Sequence, residues 1–279
     1  MAAVVAAVLA LGALSVWLQV ERERLPLPTT AEEELYLSQR ATGRIVFAYR
    51  PVAADLYWIR AVQYFGGHAQ IAQALQNDPV PRIRPLVPFD LLYPLLDITT
   101  TLDPRFNIAY RFGAIFLSEQ YPHGPGRPDL AITLLEKGLK ASPEKWEYWE
   151  DIGFVYYWSL HDYLKASDAF RRAADVPGAP WWMRSLAATM LVKGGDRNTS
   201  RLLWRQLYET ANNEYARQAA LRKLAQLQAI EEIEQLQAAL DRRALRALPR
   251  DPAGTPYRIS GSKVELSPTS PLFPLPVEP

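Results

Sequence analysis

The sequence contains no cysteine, and only three of its 279 residues are histidine. Without cysteine the chain has no disulfides, no thiolate nucleophile and no sulfur-rich zinc site. The histidines, His68, His123 and His161, lie far apart along the chain, and none has a metal-ligating neighbour at helical spacing. We therefore expect neither a metal site nor a cofactor.

An excess of charge of either sign is also missing. Lysine and arginine total 31 and aspartate and glutamate total 30, which gives a formal net charge of +1. No basic run of five residues occurs, so nothing electrostatic points to nucleic acid. The G-x-S-x-G elbow of serine hydrolases and the G-x4-G-K-[ST] phosphate loop are both absent. We expect a protein that is not an enzyme, has no catalytic residues and does not bind nucleic acid.

One long apolar run is present at the N-terminus. Residues 2–20, AAVVAAVLALGALSVWLQV, carry no charge. At about 1.5 Å per residue, a helix of this length reaches roughly 28 Å, close to the hydrocarbon thickness of a bilayer. A cleavable signal peptide is the alternative, although the run is longer than a usual h-region and no A-x-A site stands before Glu21. We expect an uncleaved transmembrane anchor at residues 1–21 and a proline-containing linker at residues 22–30.

From about residue 31 to residue 248 the sequence pattern is almost wholly helical. Within it, hairpin-sized segments recur at intervals of about 34–40 residues. RPDLAITLLEKGLKASP aligns with DYLKASDAFRRAADVP, and YRFGAIF aligns with WEDIGFVY. The best unit carries its key residues at Trp149, Ile152, Gly153, Tyr156, Ala166, Phe170, Ala173 and Pro177.

These positions resemble the tetratricopeptide repeat (TPR) family, whose pattern is W-x2-L-G-x2-Y, then A-x3-F-x2-A, then P. The unit departs from that pattern by one extra residue in the turn between its helices. The resemblance implies an all-α, TPR-like solenoid of stacked helical hairpins. In this reading Gly153 and Ala166 are small because two helices cross closely there, and Phe170 fills the space beside them.

The predicted organisation follows from these repeats. A TPR-like region spans residues 31–210, with a divergent unit at about 54–104 and further units at about 105–143, 144–177 and 178–211. An amphipathic pair of helices at residues 212–248 would cap the array, before a proline-rich tail at residues 249–279. In the tail, YRIS and KVEL flank a Gly-Ser turn and predict a small β-hairpin. Because an isolated hairpin is marginally stable in water, we expect it to dock on the last helices.

Two further resemblances concern location. The segments AYRFGAIFLSEQYPHGPGRPDLAI, VPGAPWWMRSLAA and KGGDRNTSRLLWRQLYETA resemble uncharacterised bacterial membrane-anchored TPR proteins. The tail pattern D-P-x-G-x-P-Y followed by G-x-K-V resembles the C-terminal end of bacterial type II pseudopilin domains. Together they imply a single-pass protein of the bacterial inner membrane with its body outside the cytoplasm. Arg22 and Arg24, which follow the apolar run, favour the opposite orientation.

Six aromatic residues crowd the stretch DIGFVYYWSLHDYLKASDAF at residues 151–170. On a helical wheel, the face that holds Trp149 and Tyr156 closes the hairpin, and a second face remains. In TPR arrays the second face lines the concave groove that receives partner peptides, and the alternative is that its rings are ordinary core. The candidate groove residues are Glu147, Glu150, Phe154, Tyr157, Trp158, Trp181, Arg184 and Tyr110. Arg184 is expected to pair with a carboxylate, either of a ligand or of Glu150.

These features predict a membrane-anchored scaffold or adaptor that binds a protein or peptide partner in a concave groove. Bacterial envelope assembly or secretion is the expected setting. One alternative is a permanent structural subunit of an envelope complex of the secretion or pilus type. A second alternative is a degenerate or accessory enzyme subunit, with the insert at residues 66–88 as a lid that carries His68, Asp78 and Arg84.

Overall fold

The computed structural model describes residues 10–17, 20, 49–77 and 88–276. The chain divides into two compact units, Met1–Phe47 and Ala48–Pro279. In the first unit, residues 10–17 are helical. Among the residues described, no helix has both the length and the apolar character needed to cross a membrane. The predicted anchor lies only partly within the described residues, and the predicted linker lies outside them.

The second unit is mostly helical, as predicted. Its helices are α1 (Arg50–Asn77), α2 (Leu92–Leu102), α3 (Asn107–Ser118), α4 (Pro128–Ala141), α5 (Trp146–Phe154), α6 (Tyr163–Asp175), α7 (Trp182–Lys193), α8 (Arg197–Thr210) and α9 (Glu214–Asp241). A π-helical turn, Val155–Ser159, continues α5 without a break. Two short strands follow α9, namely β1 (Arg258–Ser260) and β2 (Lys263–Glu265).

Each helix of the second unit packs mainly on its neighbours in the chain. The pairs α3–α4, α5–α6 and α7–α8 lie within the three predicted units between residues 105 and 211, and α1 packs on α2. Successive pairs join through α2–α3, α4–α5, α6–α7 and α8–α9. This arrangement of neighbour-to-neighbour contacts is compatible with a helical solenoid.

The insert expected at residues 66–88 begins as a continuation of α1, because residues 66–77 belong to that helix. His68 is buried there, and its Nδ1 lies 2.8 Å from the carbonyl oxygen of Tyr64. Asp78 and Arg84 lie outside the described residues.

The close crossing expected between α5 and α6 is confirmed at Gly153. A Cβ atom at that position would lie 2.6 Å from the ring of Phe170, which is closer than van der Waals contact allows. Phe170 is fully buried, and Ala166 and Ala173 on the same face of α6 are buried with it. Phe170 is therefore a core residue, as predicted, and glycine is required for the two helices to approach.

A polar cluster joins α4 to α2. Lys137 Nζ donates hydrogen bonds to Asp97 Oδ1 at 2.6 Å, to the Asp97 carbonyl at 2.8 Å and to the hydroxyl oxygens of Thr100 and Thr101 at 2.9 and 2.6 Å. An ammonium group has three protons, so these four acceptors, two of which share one proton, satisfy it fully inside the protein. The cluster fixes the position of α4 relative to α2.

Side-chain caps begin α6 and α8. The carboxylate of Asp162 accepts a hydrogen bond from the Lys165 amide at 3.0 Å, and that of Asp196 accepts one from the Thr199 amide at 3.0 Å. The turn before α8 contains Gly195 with a φ of 85°, a conformation that glycine adopts without strain. Local sequence therefore sets where both helices start.

Replacing Asp162 with alanine is expected to lower the free energy of unfolding by about 1 kcal/mol, because the first turn of α6 loses its capping acceptor. The Lys165 amide holds the pKa of Asp162 below its usual value. The stabilisation is therefore complete above the unfolded-state pKa and is lost as the pH falls through the lowered folded-state pKa. Urea denaturation at neutral and acidic pH measures both effects. Asp162→Ser, which keeps a capping oxygen, should retain most of the stability at neutral pH, and an equal loss in the two variants would contradict the capping role.

A single helix, α9, occupies the region where we expected a capping pair of helices. The expectation of a pair was wrong because residues 214–241 contain no glycine or proline that would break the helix. The resulting helix of 28 residues presents one continuous surface to the C-terminal tail.

The predicted β-hairpin is confirmed, with antiparallel pairing of Ile259 with Val264 and a turn at Gly261. It docks on α9 through a buried cluster that includes Tyr257, Val264 and Ile233. Side chains of α9 also hold the proline-rich chain that follows. The amide of Gln226 donates to the carbonyls of Leu272 and Pro274 at 2.6 and 2.8 Å, and Arg222 donates to those of Pro271 and Phe273 at 3.0 Å each.

Candidate binding groove

A groove with a volume of about 800 Å³ lies between α3 and the helix formed by α5 and its π-helical extension. Helix α3 contributes Arg111, Ile115 and Ser118, the loop after it contributes residues 119–123, and the second helix contributes Asp151, Phe154 and Trp158. The groove therefore lies between the first helices of two successive units, with an aromatic wall on one side.

The π-helical turn sets the direction of the aromatic side chains. Its defining hydrogen bond runs from the Leu160 amide to the Val155 carbonyl at 3.3 Å and spans one residue more than an α-helical bond. Helical-wheel angles drawn for a regular α-helix therefore do not apply beyond Val155, where Tyr157 is half-buried and the ring of Trp158 lies 5.5 Å from it.

Trp158 is 63% exposed and lines the groove. Its indole stacks on the ring of Phe154 with centroids 4.7 Å apart and an interplanar angle of 14°. Phe154 in turn meets the buried ring of Phe170 edge-on at 5.2 Å. A series of ring contacts, from Phe170 to Phe154 to Trp158, thus runs from the core to the surface of the groove. These contacts hold the exposed indole in a defined position.

Arg111 is a positively charged residue of the groove lining. Its Nε donates to Asp151 Oδ2 at 2.6 Å and its Nη2 donates to Asp151 Oδ1 at 2.9 Å, while the same Nη2 lies 3.3 Å from Glu150 Oε2. The two carboxylate side chains are only 14% and 11% exposed. The paired guanidinium serves both of them, which makes it a structural link between α3 and α5.

Burial dominates the electrostatics of this cluster. It raises the pKa of Asp151 above its ordinary value, although the bond to Arg111 opposes the shift. Burial also raises the pKa of Glu150, and the neighbouring charge of Asp151 raises it further. The hydrogen bond to Asp151 raises the pKa of Arg111, so the arginine is firmly protonated. Glu147 is half-buried beside the cluster and raises the pKa of both carboxyls through its negative charge.

Tyr157 does not line the groove, contrary to our prediction. Its ring is half-buried against the cluster formed by Phe170 and Met183. Its hydroxyl oxygen accepts a hydrogen bond from Lys193 Nζ at 3.0 Å, and the same ammonium lies 4.9 Å from the ring centroid. Tyr157 therefore ties the π-helical turn to α7 and is structural.

Tyr110 is also core rather than groove, so its predicted placement was wrong. The side chain is fully buried, and burial raises its pKa to about 12. Its ring lies 5.3 Å from that of Tyr148 and fits over Gly138, where a Cβ atom would come within 3.0 Å of it. Tyr110 faces α4 because the glycine leaves room for the ring there.

The remaining predicted residues are distributed over other surfaces. Glu150 pairs with Arg111 and not with Arg184, which instead borders a separate cavity of about 200 Å³ beside Arg171. Trp181 packs on the cluster around Trp204 and meets Tyr215 edge-on at 5.7 Å. The groove lies between α3 and α5, whereas residues at the start of α7 face α6, α8 and α9, so these side chains cannot reach it.

Our sequence reasoning missed several groove residues, namely Arg111, Ile115, Glu119 and Asp151. The repeat alignment held the signal for two of them, because Arg111 and Asp151 fall at equivalent positions of YRFGAIF and WEDIGFVY and carry opposite charges. Equivalent positions of neighbouring repeats lie beside each other in a stacked array.

In comparisons with known proteins, no protein-family model matches this sequence and no curated protein matches it.

Proposed function

We propose that the protein is a membrane-anchored, TPR-like scaffold that binds a protein or peptide partner in the groove between α3 and α5. The setting we propose is the surface of the bacterial inner membrane, in envelope assembly or secretion. The observation that carries the proposal is the exposed indole of Trp158, which is held over an open groove by its stack on Phe154. Tryptophan anchors of this kind are enriched in the most energetically important positions of protein interfaces.

A strip of exposed apolar side chains on α3 supports a macromolecular partner. Ile108, Phe112 and Ile115 are each about half exposed and follow one another at helical spacing, so they share one face of α3. Ile115 also lines the groove, which makes the strip continuous with it. Contiguous exposed apolar surface beside a groove is typical of interaction sites, because covering it removes apolar area from water.

The groove side chains are held in place by contacts within the protein, which favours binding without a large rearrangement. Phe154 is fixed between Phe170 and Trp158, and Arg111 is fixed by Asp151 and Glu150. Both sides of the groove are therefore set by contacts that exist before a partner arrives. Such pre-organisation reduces the entropic cost of association. The membrane anchor and the extracytoplasmic body are supported by the apolar residues 2–20 and by the resemblances of the sequence.

Trp158→Ala is expected to weaken partner binding about thirtyfold or more, which corresponds to the loss of at least about 2 kcal/mol at an aromatic hot spot. The free energy of unfolding should fall by only about 1 kcal/mol, because the indole is largely exposed and its ring contacts are limited to Phe154 and Tyr157. The full-length protein in native membranes, with a photo-crosslinking amino acid in place of Ile115, provides the binding measurement.

The matched control places the same crosslinker at Leu202, which is 63% exposed on α8 and does not line the groove. We expect an adduct of defined mass from position 115, none from position 202, and loss of the adduct when Trp158→Ala is added. An adduct that survives Trp158→Ala, or one that forms equally from position 202, would show that the groove is not the binding site.

A further inference from the structure

The groove lining contains more negatively charged than positively charged side chains. Of the charged lining residues, Arg111 is the basic one, whereas Glu119 and Asp151 are acidic. Arg111 is already bonded to Asp151 on both carboxylate oxygens and contacts the adjacent Glu150. The pairing with Asp151 and Glu150 uses the positive charge of Arg111, so the charge of Glu119 leaves the groove lining with a net negative charge.

Glu119 is the carboxylate available to a ligand. It is exposed at the end of α3, and within the described part of the chain its side chain has no ion-pair partner or hydrogen bond. It lies one turn of α3 beyond Ile115, so a cation beside it would adjoin apolar surface. The groove also presents Trp158, and an indole is the most favourable aromatic ring for contact with a cation.

We propose that the groove selects a peptide segment in which an arginine or lysine side chain is flanked by apolar side chains. This inference rests on the proposed function and specifies the chemistry of the partner. The cation lies between Glu119 and the indole of Trp158, and the flanking apolar side chains cover Ile115 and the adjacent part of α3. The two contacts are complementary, because one compensates charge and the other removes apolar area from water.

An acidic peptide is disfavoured by the same arrangement. A carboxylate ligand needs an unsatisfied cation, and Arg111 is held by Asp151 and Glu150. A carboxylate near Glu119 would add like-charge repulsion, which reduces affinity and sets specificity at interfaces. Selection is therefore expected to follow the sign of the charge on the peptide.

The test uses the full chain in detergent micelles and three fluorescently labelled peptides. All three share one frame of leucine and phenylalanine, and the central residue is arginine, its neutral analogue citrulline, or glutamate. Fluorescence anisotropy should show that the arginine peptide binds about three- to tenfold more tightly than the citrulline peptide, as one exposed ion pair and one cation–π contact would give. The glutamate peptide should bind most weakly.

Glu119→Gln is expected to reduce the preference for arginine over citrulline to about twofold or less, since the indole contact alone then remains. Glu136→Gln is the matched control, because Glu136 is exposed on α4 and does not line the groove. The control variant should keep the full preference. If the preference for arginine over citrulline falls equally in the two variants, it is a general effect of net charge, and the inference is overturned.

The outcomes separate this inference from the proposed function. If the three peptides bind equally well and Trp158→Ala abolishes binding, the charge selection is wrong and the groove function stands. If none of the peptides binds but the crosslink from position 115 forms, the selection of a short basic segment is again wrong while the function stands. If neither peptide binding nor the crosslink occurs, both proposals fail.

Discussion

Phe170→Ala should lower the free energy of unfolding by about 3–5 kcal/mol, the range found when a buried aromatic side chain is truncated. The ring is fully buried, fills the space over Gly153 and meets Phe154 edge-on. Its removal leaves a cavity between α5 and α6 that the glycine cannot fill. Urea denaturation of the full-length protein in detergent, followed by circular dichroism, measures the loss.

Phe112→Ala is the matched control for this prediction, because it deletes the same atoms from a side chain that is 51% exposed. We expect that variant to lose no more than about 0.5–1 kcal/mol. Similar losses in the two variants would contradict the assignment of Phe170 to the core. Phe170→Ala should also loosen the stack of Phe154 and Trp158, so partner binding should weaken even where the protein remains folded.

Arg111→Met should lower the free energy of unfolding by about 3 kcal/mol at neutral pH, because it leaves two nearly buried carboxylates without their cation. Asp151 and Glu150 already have pKa values raised by burial, and Arg111 limits both shifts. Methionine keeps much of the side-chain length but supplies no charge. Chemical denaturation over a range of pH is the appropriate measurement.

The pH dependence of this loss has a definite sign. Without Arg111 the folded-state pKa values of both carboxyls rise further above their unfolded-state values. The cost of ionising them is complete above the folded-state pKa and disappears as the pH falls toward the unfolded-state values of about 4. The stability difference between Arg111→Met and wild type should therefore shrink on acidification. Arg111→Lys, which keeps the charge, should lose less stability at neutral pH, and a difference that grows as the pH falls would contradict the burial of these charges.

Core positions and helix pairs could be predicted from the sequence because they depend on periodicity and residue size. Gly153, Ala166 and Phe170 mark a close helix crossing whatever the neighbouring units do, and the structure shows that crossing. The β-hairpin was likewise predictable, because a Gly-Ser turn between two alternating segments is a local signal. Patterns within one helix pair or one turn were therefore sufficient to predict most of the fold.

The composition of the groove was harder to predict because it depends on contacts between units. A helical wheel assumes a regular α-helix, and the π-helical turn after Phe154 changes the angles on which the prediction for Tyr157 and Trp158 rested. Tyr157 is half-buried against the core and Trp158 is exposed, although the wheel had placed them on one face. Arg111 was overlooked because its partner lies in the next unit and is invisible to any pattern within one helix.

The ion pairs between successive units limit how this array can change in length. Arg111 pairs with Asp151, and Lys137 pairs with Asp97, and the partners are 40 positions apart in the sequence in both cases. Removing the unit at residues 105–143 would remove both cations and leave Asp151 and Asp97 without their ion-pair partners. Units of this chain are therefore not interchangeable modules, because each one supplies charges that its neighbours need.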